Sequence, residues 1–138
     1  MDSELALQLT QTFARAERAL KSHGFLKRQV TSWAPHPLAF ADWVAFGKAI
    51  GPRLTIDSRI LQILCEPGPM IELVIERKCT FVSVHFPGDT DGERAINAAR
   101  QVRNNLFHGS KLLEEGAVSD DEFMGAAIQV LSDSLSLI

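Results

Sequence analysis

The C-terminal stretch SDDEFMGAAIQVLSDSLSLI, Ser119 to Ile138, constrains the fold more than any other part of the chain. Ser119 and Glu122 stand at capping-box spacing, and Val118 and Phe123 occupy the two positions of a hydrophobic staple. Phe123, Ala127, Val130, Leu131, Leu135 and Ile138 then recur at helical intervals. A helix with such a face is marginal alone in water and is stabilised by packing that face on other helices. The opposite end of the chain supplies one. From Ser3 to His23, Leu5, Leu9, Phe13, Ala16 and Leu20 fall three and four apart, and Gly24 supplies a stop.

Between these helices the punctuation is clear. Pro35 and Pro37 break the chain, and a second helix is expected from about Leu38 to Ile50, with Phe40, Trp43, Gly47 and Ile50 on one side. Gly51-Pro52 ends it. Asp57 caps a short third helix, Ser58 to Cys65, which Pro67 terminates. From Ile71 to Phe86 the period changes. Val, Ile, Thr and Phe concentrate, and Phe81, Ser83 and His85 alternate with Val82, Val84 and Phe86, as in a β-hairpin turning near Arg77-Lys78. A fourth helix follows from about Asp91 to His108, with Ile96, Ala99, Val102 and Leu106 as its buried stripe and Gly109 beyond its end. This order predicts a mostly α bundle of about five helices, with a small β-hairpin insertion near residues 71–86 lying on the helical body.

At 138 residues the chain reads as one domain, 1–138, large enough for its own core. Its 46% apolar and 22% charged residues exclude a disordered chain, and no apolar run is long enough to span a bilayer. MDSELALQ has no basic n-region, so no signal peptide is expected and the cytoplasm is the expected location. Cys65 and Cys79 are the only cysteines, read as free thiols. His23 reads as a helix-end residue, while His36 lies between prolines. Neither these nor His85 is spaced to join His108 on a metal, so neither metal nor cofactor is expected.

Net charge is −3, against a nonspecific nucleic-acid binder. All 14 Lys and Arg lie at or before Lys111, among 11 acidic residues, whereas residues 112–138 hold six acids and no Lys or Arg. A mildly basic body leaves room for a local anion site.

VRNNLFHGSK, residues 102–111, is where such a site would form. Arg100, Asn104 and His108, four apart, make one row along the fourth helix. Arg103 is one residue off that row and about 140° from His108 on an ideal helix, within reach through its long side chain. A guanidinium binds phosphate oxygens through its planar fork and keeps its charge, histidine exchanges a proton near neutral pH, and asparagine positions either partner. The same residue types also suit an ordinary helix end, where they pair with terminal carbonyls.

The octapeptide VRNNLFHG resembles the signature of HEPN domains: Arg, a polar residue directly after it, three more residues, then His. Arg103, Asn104 and His108 fill those places. The resemblance is most specific over residues 92–137. Upstream it rests on helix order, FADWVAF and the CEPGP break. It implies a HEPN-like helical bundle that dimerises with two motifs facing one cleft. Active members are metal-independent endoribonucleases in which the ribose 2′-hydroxyl attacks the adjacent phosphorus. On that reading His108 transfers the proton, Arg103 stabilises the phosphorane, and Asn104 orients one of them or the scissile phosphate. Arg100 and Lys111 bind substrate. RNA is the implied partner, with a possible antitoxin protein in a toxin or defence system. Other members are non-catalytic modules that bind a protein partner or a nucleotide. Against RNA, the Lys and Arg look scattered, Phe13, Trp43, Phe107 and Phe123 sit at core-like spacings, and Trp33 reads as a packing residue.

Overall fold

A computed structural model of the chain describes residues 2–107 and 118–138. The described chain is mostly helical, with two small antiparallel hairpins. Helix α1 spans Ser3–Ser22, and the strands β1 (Leu26–Gln29) and β2 (Leu38–Ala41) follow. Helix α2 (Trp43–Ile50) runs into one 3-10 turn, Gly51–Arg53, and then comes α3 (Ser58–Cys65). Strands β3 (Ile71–Ile75) and β4 (Lys78–Val82) precede the two remaining helices, α4 (Asp91–Phe107) and α5 (Asp120–Leu135).

The helices start and stop where side chains satisfy their free backbone groups. The Asp2 carboxylate accepts from the Glu4 and Leu5 amides at the start of α1. At its end the His23 ring sits 2.8 Å from the Ala19 carbonyl, and Gly24, at φ +88°, turns the chain in the left-handed region. The α5 capping box is complete. Ser119 N–H donates to the Glu122 carboxylate (3.0 Å), and Glu122 N–H donates to the Ser119 hydroxyl (3.1 Å). Asp57 caps α3 as expected, and Cys65 is its last residue before the Glu66–Pro67 peptide.

Helix α5 packs on both α1 and α4. Leu9, Phe13, Ala16 and Leu20 of α1 meet Phe123, Ala127, Val130 and Leu131 of α5, with Ile96, Ala99 and Val102 of α4 in the same buried cluster. Each large apolar side chain so buried contributes about 1.5–3 kcal/mol. Where α4 begins its backbone comes close to that of the 3-10 turn: a Cβ on Gly92 would stand 2.3 Å from the Gly51 carbonyl oxygen. That contact fixes how far α4 slides along α2.

The expected hairpin is present but shorter. β3 and β4 pair from Ile71↔Val82 to Ile75↔Lys78, leaving Glu76-Arg77 as a two-residue turn. Both turn residues have positive φ, 50° and 65°, which a right-twisted two-residue hairpin requires. The turn thus falls one residue earlier than expected, and it lacks the usual asparagine or glycine. Pairing ends at Val82, so His85 is an exposed loop residue and Phe86 reaches the core from outside the strand.

The second helix begins at Trp43, not Leu38. Leu38–Ala41 pairs instead with Leu26–Gln29, Leu26↔Ala41 through Gln29↔Leu38, in a hairpin the sequence did not signal. The reason is local. Asp42 accepts from the Ala45 amide at 3.0 Å and so starts the helix after itself, while Pro35 and Pro37 keep the preceding chain extended. Leu26–Gln29 gives no alternation to read, because all four residues are exposed.

Candidate functional site

The C-terminal half of α4 carries Arg100, Arg103 and Asn104 on the side that faces α1 and α2. Phe13 from α1 and Trp43 from α2 stack there with centroids 5.0 Å apart, inclined by 26°. Arg100 Cζ lies over the Trp43 ring at 5.3 Å. Arg103 Cζ lies 4.4 Å from the Phe13 centroid and 4.0 Å from that of Phe107. The result is one continuous ladder: Phe107, Arg103, Phe13, Trp43, Arg100. Each cation–ring contact contributes about 0.5–2 kcal/mol and leaves the donors at the guanidinium edge for other partners.

Arg103 therefore does not lie free in solvent; two rings hold it, and its Nη1 donates to Asn104 Oδ1 at 3.3 Å. The structure thus brings Arg103 and Asn104 together and sets Arg100 one turn away. Among the described residues neither arginine is within 4 Å of a carboxylate oxygen. The Nε atoms of both are buried without a hydrogen-bond partner. Burial pushes the Arg100 pKa below its ordinary value, and the nearby Glu17 carboxylate opposes the shift. An arginine so placed is still a cation at neutral pH. His108 and Lys111, the other two expected site residues, lie outside the described residues.

Phe107 was expected in the core and is instead 53% exposed. It lies five residues beyond Val102, about 140° around the helix from the buried stripe, and it covers Arg103 from the solvent side. With Leu7, Thr10 and Leu106 it lines an open groove of about 300 Å³ between α1 and α4. On the other side of the ladder, Arg100 lines a cleft of about 440 Å³ with Lys48, Asn97, Asp89 and Glu93.

Asn105 has a different task from its neighbour. It is buried, donates from Nδ2 to the Met70 carbonyl at 2.9 Å, and accepts from Gln101 Nε2 at 2.7 Å. It ties α4 to the chain just before β3. The signal was its position three residues after Val102, on the core side of the helix. The sequence pattern thus interleaves two roles: Asn105 belongs to the packing, Arg103 and Asn104 to the surface.

Among the described residues no three His, Cys, Asp or Glu side chains converge into a metal-ligating group. Burial pushes the Cys65 thiol up to about 11, partly opposed by Arg94, whereas Cys79 is exposed. No described helix is long and apolar enough to cross a membrane. No model of a known protein family, no curated protein and no solved structure matches the chain.

Proposed function

We propose that this chain is a HEPN-like, metal-independent endoribonuclease that pairs with a second copy to form its cleft, in the manner of a toxin or defence effector with its own antitoxin protein. One observation carries the reading. Arg103, in the Arg-Asn-x3-His motif, is held between the Phe13 and Phe107 rings and against Asn104, while its charge is unpaired among the described residues. A guanidinium fixed before substrate arrives reorganises little as charge develops, which is what stabilisation of a phosphorane requires.

In the reaction His108 removes the proton of a ribose 2′-hydroxyl. The 2′-oxygen bonds to the adjacent phosphorus, and the bond to the 5′-oxygen of the next nucleotide breaks. That oxygen takes up a proton, leaving a 2′,3′-cyclic phosphate and a 5′-hydroxyl. Arg103 bears on the equatorial oxygens, Asn104 keeps the guanidinium in register, and Arg100 with Lys111 holds flanking phosphates.

The test is incubation of the purified protein with structured and single-stranded RNA in excess EDTA, beside His108→Ala, Arg103→Ala and Arg103→Lys. Wild type is expected to leave cyclic phosphate ends. Arg103→Ala is expected to lose about 10²–10³-fold in rate. Arg103→Lys is expected to recover little, because an ammonium lacks the planar fork. Equal cleavage by His108→Ala sinks the assignment. RNA or nucleotide binding without cleavage by wild type selects a non-catalytic binding module in its place.

A further inference from the structure

A second stretch that combines cations with exposed large aromatics lies outside the candidate site. From Arg18 to Ala41 the sequence holds four of the 14 Lys and Arg (Arg18, Lys21, Lys27 and Arg28) and none of the 17 acidic residues. The chain as a whole is acidic, so this concentration is local. Arg18 and Lys21 lie in the last turns of α1, and Lys27 and Arg28 on β1 of the β1–β2 hairpin, whose connecting loop holds Trp33 at 74% exposure. Phe40 on β2 is 46% exposed.

The register arranges these groups. Lys27 lies directly opposite Phe40, so the two share one face of the hairpin with Gln29 and Leu38. Ala41, next to Phe40 and therefore on the other face, packs against the core, which turns the Lys27–Phe40 face outward. The acidic group nearest Lys27 is Asp42, at 4.0 Å, and its carboxylate already caps α2. Nothing in the described fold covers Trp33 or Phe40. Burying either elsewhere would remove roughly 150–250 Å² of apolar surface from water, so their exposure calls for a partner.

We infer that the β1–β2 hairpin is a binding surface for single-stranded RNA, with Trp33 and Phe40 stacking on bases and Lys27 meeting a phosphate beside them. Every base offers a ring face, and a backbone beside it offers an anion, so cations interleaved with exposed rings fit a single strand. An anionic membrane would take the same charges. It would also submerge the hydrogen-bonding groups of Gln29, Ser32 and His36, which lie exposed among the rings, at a cost for each left unpaired. Nucleobases provide partners for those groups instead. The inference extends the ribonuclease reading, since it gives the cleft a second grip on its substrate, but it stands on different residues.

The test uses 2′-O-methyl oligouridine, which lacks the attacking hydroxyl, with fluorescence anisotropy across a salt series. Wild type is expected to bind with a salt-dependent affinity. Trp33→Ala is expected to weaken it by about 5-fold or more, and Trp33→Phe to restore most of the loss. Lys27→Ala is expected to lower the slope of log affinity against log salt by about 0.7. Binding unchanged in all three variants overturns the inference. So does binding of wild type to phosphatidylserine vesicles, with a blue shift of Trp33 emission, in the absence of oligonucleotide binding. Hairpin-dependent binding without cleavage of native RNA supports the inference and removes the ribonuclease reading. Cleavage of native RNA with no hairpin-dependent binding does the reverse.

Discussion

The two halves of α4 treat their charged groups in opposite ways. In the first half Arg94 pairs with Asp91 on its own helix, and the buried Glu93 carboxylate accepts from the Asp89 amide at 3.0 Å. The Glu93 methylenes also pack over Gly47 and Gly51, so its carboxylate holds the loop before α4 while its stem sits against α2 and the 3-10 turn. In the second half Arg100 and Arg103 are held by rings from α1 and α2, and among the described residues by no carboxylate. An ion pair neutralises a cation and takes up part of its donor edge, although Arg94 Nε, like that of Arg100 and Arg103, has no hydrogen-bond partner among the described residues. A ring fixes the cation and leaves its donors open. The same residue type on one helix is therefore structural in one half and available to an anion in the other.

The largest effect expected from breaking this contrast is at Phe13. Phe13→Ala removes a core ring and the platform beneath Arg103 together, and is expected to cost about 3–5 kcal/mol in urea denaturation, with RNA cleavage falling alongside. A cost under about 1 kcal/mol would mean that the ladder is not a support. Next comes the division between the two asparagines. Asn105→Ala strands the Met70 carbonyl and the Gln101 amide, and is expected to cost about 1–3 kcal/mol. Asn104→Ala is expected to stay within about 0.5 kcal/mol in the same measurement, and its effect is to be read in cleavage. The reverse ranking would merge the two halves into one structural role.

The smallest effect sharpens the first half. The Arg94 charge bears on Cys65, whose thiol pKa, raised from 9.0 to about 11 by burial, stays above that of an unfolded thiol. Below about pH 9 the thiol is protonated in both states and contributes no pH dependence. Between about 9 and 11 the folded chain keeps a proton that the unfolded chain releases, so stability falls as pH rises through that window. Cys65→Ala is expected to flatten that limb of a stability–pH profile. Arg94→Ala is expected to slow alkylation of Cys65 further at pH 9, with a stability cost below about 1 kcal/mol.

Much of this architecture was legible because it is written within single turns of chain. The α5 capping box, the Asp57 cap and the Gly24 stop each depend on residues no more than four positions apart. The apolar stripes of α1, α4 and α5 follow from periodicity, and most of their members lie in the observed core, with Leu5, Leu106, Leu135 and Ile138 only partly buried at its edge. The β3–β4 hairpin showed in its composition, although the positive φ at Glu76 and Arg77 did not, since neither residue type favours it. The β1–β2 hairpin was missed because its outer strand buries nothing and so carries no alternation.

At the candidate site the sequence by itself determined which polar residues share the end of α4, and that Val102 and Asn105 point to its core side. Tertiary structure alone decided what holds them. Phe13, Trp43 and the Met70 carbonyl come from elements distant along the chain, and nothing in the spacing around Arg103 names them as its neighbours or those of Asn105. Whether Phe107 and Trp33 were buried was settled the same way. A helix period fixes the direction in which a ring leaves the backbone, but only the packing of other elements determines whether anything stands there to meet it.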